Sequence, residues 1–202
     1  MRSEKETRDR GKVQILTESA LCVALSVVLS MITLFRMPLG GSVTPFATLP
    51  IIIISLRHGL KAGVSAALVF SLSQLLLGMS NVVAVPAKTF MNMALCALLD
   101  YVIAYTAIGF TGPIAGKFRR SVTGLTVGIL ATGLIRLACS FLSGVLIWGA
   151  YAPEGVSVAY YSLAYNATWC LPEVFVTLIA ALLLARARVF TLFLNDKAAR
   201  KG

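Results

Sequence analysis

The chain is 202 residues long, 58% of them hydrophobic and only 13% charged, whereas an average soluble domain is about 45–50% apolar and about 25% charged. An aqueous fold of this size has nowhere to hide that much apolar surface, so the composition excludes a water-soluble globule and makes the bilayer the natural solvent. The formal charge of +10 does not indicate nucleic acid, because the basic residues form short clusters between apolar stretches and do not interleave with aromatics.

A bilayer-spanning helix needs about 20 mostly apolar residues. After a polar tail over residues 1–12, the first predicted span runs from Val13 to Phe35. It is too long for a signal-peptide core and is read as a retained span. The Pro/Gly-rich stretch Met37-Pro-Leu-Gly-Gly-Ser42 ends it. A second, short span is expected from Val43 to Leu56, with Pro45 and Pro50 inside it or at its edge. The third follows the Arg57-His58-Gly59 turn and reaches Leu77. A polar break near residues 78–88 precedes a fourth span from Thr89 to Phe110. Gly112, Pro113, Lys117, Arg119 and Arg120 form a basic connector to the fifth, Val122 to Ala150. A loop from Tyr151 to Tyr160 leads to the sixth, which ends near Leu184. The expected fold is an all-α membrane protein of six transmembrane helices over residues 13–188, followed by a basic tail over 189–202. No internal repeat or second domain is visible.

If both termini and the loops near residues 57–61 and 111–120 share one side, that side carries every Lys and Arg except Arg36, Lys88 and Arg136. The positive-inside rule then places the N and C termini in the cytoplasm, and an even number of spans requires the same.

Cys22, Cys96, Cys139 and Cys170 all fall in apolar stretches without paired spacing. They read as small buried hydrophobes, not as a disulfide framework or zinc site. The single histidine, His58, speaks against histidine-based catalysis or metal binding. No metal and no cofactor are expected.

A charge within the apolar slab costs at least about 2.5–3.5 kcal/mol on insertion scales, so each needs a reason. Glu18 lies one turn into the first span, where it can reach the interface. Asp100 and Arg136 lie midway along the fourth and fifth spans; they form either a structural ion pair or the polar wall of a pocket. Glu173 follows Pro172 and either caps freed backbone amides or faces that pocket. Trp148, Tyr160, Tyr161, Tyr165 and Trp169 cluster at the outer side, as an interfacial aromatic belt would. A belt does not account for Asn166 among them or for Asp100-Tyr101 in the adjacent slab. An aromatic cage with a carboxylate and an amide suits a flat, cationic heteroaromatic ligand, with cation–π attraction of about 2 kcal/mol when desolvated.

These residues resemble the substrate-binding subunits of energy-coupling factor vitamin transporters, the thiamine-specific ones in particular. The resemblance runs from about Ala20 to Glu173. It rests on Met37-Pro-Leu-Gly-Gly-Ser42 with Leu49-Pro50-Ile51, Arg57-x-Gly59-x-Lys61-x-Gly63, Leu98-Leu-Asp-Tyr101 with Ala104, and Ser143-Gly144 with Trp148. Tyr151-Ala-Pro-Glu-Gly155, Tyr161-Ser162, Tyr165-Asn166 and Pro172-Glu173 complete it. The resemblance implies a six-helix subunit of the bacterial plasma membrane that binds thiamine from outside. It implies no ATPase activity in this chain and partners consisting of a transmembrane coupling subunit and two ATP-binding-cassette ATPases. The chain has no GxxxxGK[ST] phosphate loop of its own.

By position, the resemblance makes Asp100 the acid that reads the aminopyrimidine. It makes Trp148 the stacking residue and Tyr161 and Asn166 the partners of the pyrimidine edge, with Tyr101, Arg136 and Ser140 also at ligand-contacting positions. Ser140 stands where the family usually has a histidine, and Cys96 where it has a glutamine. Residues 36–47 become a lid, with Gly40, Gly41 and Ser42 as its gating turn. The small-residue pair Ala20-x-x-x-Ala24 becomes the partner-docking surface. Rival readings keep the fold and change the ligand to another vitamin, a pyrimidine precursor or a nucleobase, or make the chain an autonomous proton-coupled carrier. An intramembrane enzyme finds no Ser/His, Cys/His or paired-carboxylate arrangement to support it.

Overall fold

The computed structural model describes residues 2–118 and 122–187, with side chains from residue 10 onward. Arg119, Arg120, Arg188 and the basic tail over 189–202 lie outside the described residues, as do the side chains of Arg2, Lys5 and Arg8. The chain forms α1 (Arg2–Ser30), a short hairpin of β1 (Phe35–Arg36) and β2 (Ser42–Val43), α2 (Leu49–His58), α3 (Leu60–Leu77) and the one-turn α4 (Met79–Val83). It continues through α5 (Phe90–Lys117), α6 (Val122–Leu146) and α7 (Val158–Arg186). Five of these helices, α1, α3, α5, α6 and α7, are long and apolar enough to cross a bilayer. The protein is an all-helical, multi-pass membrane protein apart from the hairpin.

The remaining helix, α2, differs from its expected bounds of Val43–Leu56. Residues 45–48 form turns in which Phe46 takes φ 66°, and the helix begins only at Leu49 with Pro50 in its first turn. A proline there lacks only an N–H that would be unpaired anyway. At 10 residues, α2 is about 15 Å long, half of the roughly 30 Å apolar slab. Other boundaries move too: α1 ends at Ser30, not Phe35, because residues 35–36 enter the hairpin, and α5 runs past Phe110 to Lys117, so that Gly112, Pro113 and Lys117 of the expected connector lie inside the helix. The fifth span stops at Leu146, not Ala150, because Gly149–Tyr151 tighten into a 3₁₀ turn. The sixth opens at Val158, and the polar break before α5 contains α4.

Although short, α2 is the axis of the bundle. Ile51, Ile52 and Ile54 are fully buried and pack with Phe70 of α3, Ile108 of α5, Leu125 and Ile129 of α6, and Ala181 of α7. In an apolar solvent close backbone approach, not water exclusion, holds helices together. At the α2–α3–α5 crossing the Ser55 hydroxyl donates to the Gly109 carbonyl (2.5 Å) and accepts from the Gly112 amide (2.8 Å). Glu18 of α1 ties this end of α2 in place, 3.3 Å from Arg57 Nη2 and 2.6 Å from His58 Nε2. Arg10, Lys12, Lys61, Lys117 and Arg186 lie at this same end of their helices. On α1, Ala20 and Ala24 are exposed, beside the exposed Leu16, Leu21, Leu25 and Val28.

A Cβ on Gly109 would lie 2.7 Å from the Gly63 backbone, a clash between two main chains that no rotamer change relieves. Gly109→Ala should destabilise the bundle by about 1–3 kcal/mol, read as a lower melting temperature in detergent. An unchanged value would mean that α3 and α5 do not touch there.

Candidate ligand-binding site

At the end of the bundle opposite Glu18, the helices enclose a cavity of about 450 Å³, within the about 300–1,000 Å³ usual for small-molecule sites. Its walls follow from helical spacing. Arg136, Ser140 and Gly144 of α6 recur every four residues, so they share one face; Trp148 follows just past the end of the helix, and all four line the cavity. Tyr161, Ser162, Tyr165, Asn166 and Trp169 do the same on α7. On α5 the chain departs from α geometry: Ala97–Ile103 form a π segment with i→i+5 hydrogen bonds. At 100° per residue, Asp100 and Tyr101 would diverge and Cys96 and Tyr105 would face opposite ways. The wider π turns bring Cys96, Asp100, Tyr101 and Tyr105 onto the cavity together. Segments of this kind are frequent at functional sites.

Asp100 and Arg136 do not pair with each other, although both line the cavity. Arg136 Nη1 lies 3.0 Å from Glu173 Oε2, with the side chains 5% and 2% exposed. Arg136 Nη2 donates to the Tyr105 hydroxyl at 3.0 Å. Its guanidinium carbon lies 4.4 Å from the Tyr105 ring centroid and 5.1 Å from that of Trp169. Glu173 Oε1 accepts from Thr44 Oγ1 at 3.1 Å. The Arg136–Glu173 contact is an ion pair by distance but lacks hydrogen-bond alignment, so Glu173 Oε2 and Arg136 Nε have no hydrogen-bond partner among the described residues. Glu173 neither caps backbone nor lines the cavity; it neutralises the cavity floor. Asp100 instead accepts on Oδ2 from Ser143 Oγ at 2.5 Å and Cys96 Sγ at 3.4 Å. Cys96 is buried, as expected of a small hydrophobe, but its thiol also orients the carboxylate.

The aromatic cluster divides. Tyr160 is 69% exposed and fits a belt, while Trp148, Tyr161, Tyr165 and Trp169 turn inward. The Trp148 ring stacks on Tyr151 with centroids 6.0 Å apart, and Tyr161 lies 6.0 Å from Tyr165. Asn166 donates through Nδ2 to the carbonyls of Ser140 (3.1 Å) and Ser162 (2.9 Å) and accepts on Oδ1 from Trp169 Nε1 (3.2 Å). Both amide protons are therefore committed, and the side chain has only acceptor capacity left. Tyr101 donates to the Gly78 carbonyl at 3.2 Å and accepts from Asn81 Nδ2 at 3.3 Å.

The hairpin turn covers the cavity. Arg36 through Ser42 line it, including Gly40, Gly41 and Ser42, and Gly40 and Gly41 take φ of 97° and 84°, which glycine adopts without strain. The structure thus gathers Asp100, Tyr101, Arg136, Ser140, Trp148, Tyr161 and Asn166 around one cavity beneath the Gly40–Ser42 turn. Ala20 and Ala24 lie apart from it on the outer face of α1. Gln74, Asn81, Tyr105, Ser143 and Trp169 complete or brace the site without having been singled out from sequence as ligand contacts. Tyr105 was within reach, being four residues beyond Tyr101.

A polar, aromatic-lined cavity roofed by a hairpin within a multi-pass helical bundle defines a membrane solute-binding protein of the transport class. Residues 16–192 match the family model described as Thiamine transporter protein (Thia_YuaJ), and the chain belongs to this family; it is a multi-pass protein of the bacterial plasma membrane. It is 34% identical over 180 residues to the thiamine transporter ThiT of Bacillus subtilis (strain 168), covering 84% of this chain and 88% of that protein. It is 27% identical over 161 residues to the thiamine transporter ThiT of Lacticaseibacillus paracasei, covering 75% and 77%. The solved structure of ThiT from Listeria monocytogenes superposes with a TM-score of 0.71 at 25% identity, over 91% of this chain and 98% of that one.

Removing one member of the buried pair leaves the other charge uncompensated. Glu173→Gln or Arg136→Met alone should therefore lower stability by about 3–5 kcal/mol, whereas the double replacement Arg136→Met with Glu173→Leu recovers most of the loss. Thermal unfolding in detergent measures this, and additive single effects with no recovery would show that the two charges do not interact.

Proposed function

We propose that this chain is the thiamine-binding subunit of an energy-coupling factor importer, capturing the vitamin from outside the cell. One observation carries the reading: Asp100 faces the same cavity as Trp148 and Tyr161, while Arg136, the cation beside it, is neutralised by Glu173. The cavity interior is left with the Asp100 carboxylate, inward-facing rings and an acceptor-only amide, with the exposed Arg36 of the hairpin at its rim. Thiamine presents the complement, a thiazolium cation joined to an aminopyrimidine whose exocyclic amino group donates hydrogen bonds. Asp100 accepts from the pyrimidine and Trp148 stacks on the rings. Tyr161 and Asn166 take the pyrimidine edge, Tyr101 and Ser140 bound the sides, and Arg136 with its partner forms the floor. The basic end of the bundle faces the cytoplasm and the cavity opens outward.

Transport then requires a coupling subunit and two ATPases, for which the exposed Ala20 and Ala24 on α1 offer a close-approach face. The family name and the B. subtilis relative support transport over catalysis. An autonomous proton-coupled carrier would need titratable groups linked across the bundle, and Asp100 and Arg136, the charges of the fourth and fifth spans, bond other partners.

Both tryptophans of the chain, Trp148 and Trp169, line the cavity, so their fluorescence reports occupancy directly. Thiamine should quench it and raise the melting temperature of the purified chain; neither effect at saturating thiamine would remove the assignment. Asp100→Asn should weaken binding about tenfold to a hundredfold, the range for a hydrogen bond to a charged group. Trp148→Ala should weaken it while leaving the fold intact. An unchanged dissociation constant in either variant would make that residue structural. Vesicles carrying this chain alone should bind but not accumulate thiamine, with accumulation appearing only when the coupling subunit and ATPases are added.

A further inference from the structure

The hairpin over residues 35–43 is internally rigid. Phe35 pairs with Val43 and Arg36 with Ser42, and the Met37 amide donates to the Gly41 carbonyl at 2.9 Å. It can therefore move as one strap about the segments on either side, and its far end is tethered where Thr44 bonds Glu173. Over the cavity the strap meets α7 through Tyr165. The Leu39 amide donates to the Tyr165 hydroxyl at 2.9 Å, and the same hydroxyl donates to the Gly40 carbonyl at 3.0 Å. Among the described residues, these two are the hydrogen bonds that join residues 36–42 to the helices. Next to them Gly41 packs against the Trp169 indole, so close that a Cβ would sit 2.5 Å from Nε1.

We infer that the Tyr165 hydroxyl is the latch of this strap, a positioning residue that sets how fast ligand enters and leaves. The inference rests on the thiamine-binding reading for its ligand, but not for its geometry. A hydroxyl used as donor and acceptor on consecutive peptide groups fixes both the height and the tilt of the turn, which a single bond would not. Both bonds join protein to protein. Passage in either direction requires the same two to break, so the latch belongs to the barrier more than to the bound state. Most binding-site substitutions change off-rates and leave on-rates nearly fixed; a latch changes both.

The test uses the full-length chain in detergent with thiamine as the probe, followed by stopped-flow tryptophan fluorescence. Tyr165→Phe keeps the ring and removes the two bonds. Association and dissociation rates should both rise, by about tenfold for two net hydrogen bonds, while the dissociation constant shifts less than either rate and the melting temperature stays close to that of the parent. A faster off-rate with an unchanged on-rate would make Tyr165 a ligand contact and overturn the latch, as would no change in either. Gly41→Ala, which pushes the turn off Trp169 without touching the hydroxyl, should accelerate both rates as well; unchanged or slower rates would count against the inference. Hydrogen exchange at the Leu39 amide reads the latch with no ligand at all. Tyr165→Phe should speed it about tenfold, and unchanged exchange would overturn the latch even if thiamine failed to bind the parent chain.

Discussion

The site depends on the ion pair between Arg136 and Glu173. A guanidinium in the apolar slab has to be neutralised, and two acids, Asp100 and Glu173, stand on helices that pack against α6. Had Asp100 been the partner, the cavity would hold a closed ion pair and little reason to attract a cation. Glu173 takes that role from the adjacent helix, with Thr44 holding its other oxygen and Tyr105 and Trp169 stacked against the guanidinium. The pair does two further things: it fixes α6 against α7, and through Thr44 it anchors the root of the hairpin. Floor, walls and roof share one electrostatic centre.

The second constraint is geometric. Four polar or aromatic side chains of α5 reach one cavity because seven residues, Ala97–Ile103, abandon α spacing. The backbone distortion and the site coincide, as expected where local regularity is given up for function. The half-length α2 is the other departure. Its Leu49 end starts where Thr48 meets Thr177, one turn of α7 from Glu173, which puts the favourable N-terminal end of its dipole toward a carboxylate.

Much of this was legible in the sequence, and the reasons are specific. Hydropathy located α3, α5, α6 and α7 because a spanning helix must be apolar along its length. Asp100, Arg136, Trp148 and Asn166 stood out because such residues are expensive or distinctive in that setting. The partner of Arg136 was not legible, since pairing depends on which helices are neighbours and how they are rotated. The bounds of α2 were missed because a 10-residue buried helix and a turn-rich approach are equally apolar. The π segment left no mark at all; Leu98-Leu-Asp-Tyr-Val-Ile103 reads as ordinary helix. Tyr165 looked like one more belt aromatic until the strap above it was in view.

The shortness of α2 also bears on energetics outside the molecule. Where the other helices are long enough to span the whole slab, this layer of the protein is backed by about 15 Å of helix, and Asp100, which lines the cavity, stands well inside the apolar length of α5. In the orientation proposed, a cation settling beside Asp100 has already fallen through part of the transmembrane potential. Full passage of one charge is worth about 2.3 kcal/mol per 100 mV. A polarised cell, negative inside, therefore holds a positively charged vitamin in such a recess more tightly than a depolarised one, before any nucleotide is hydrolysed.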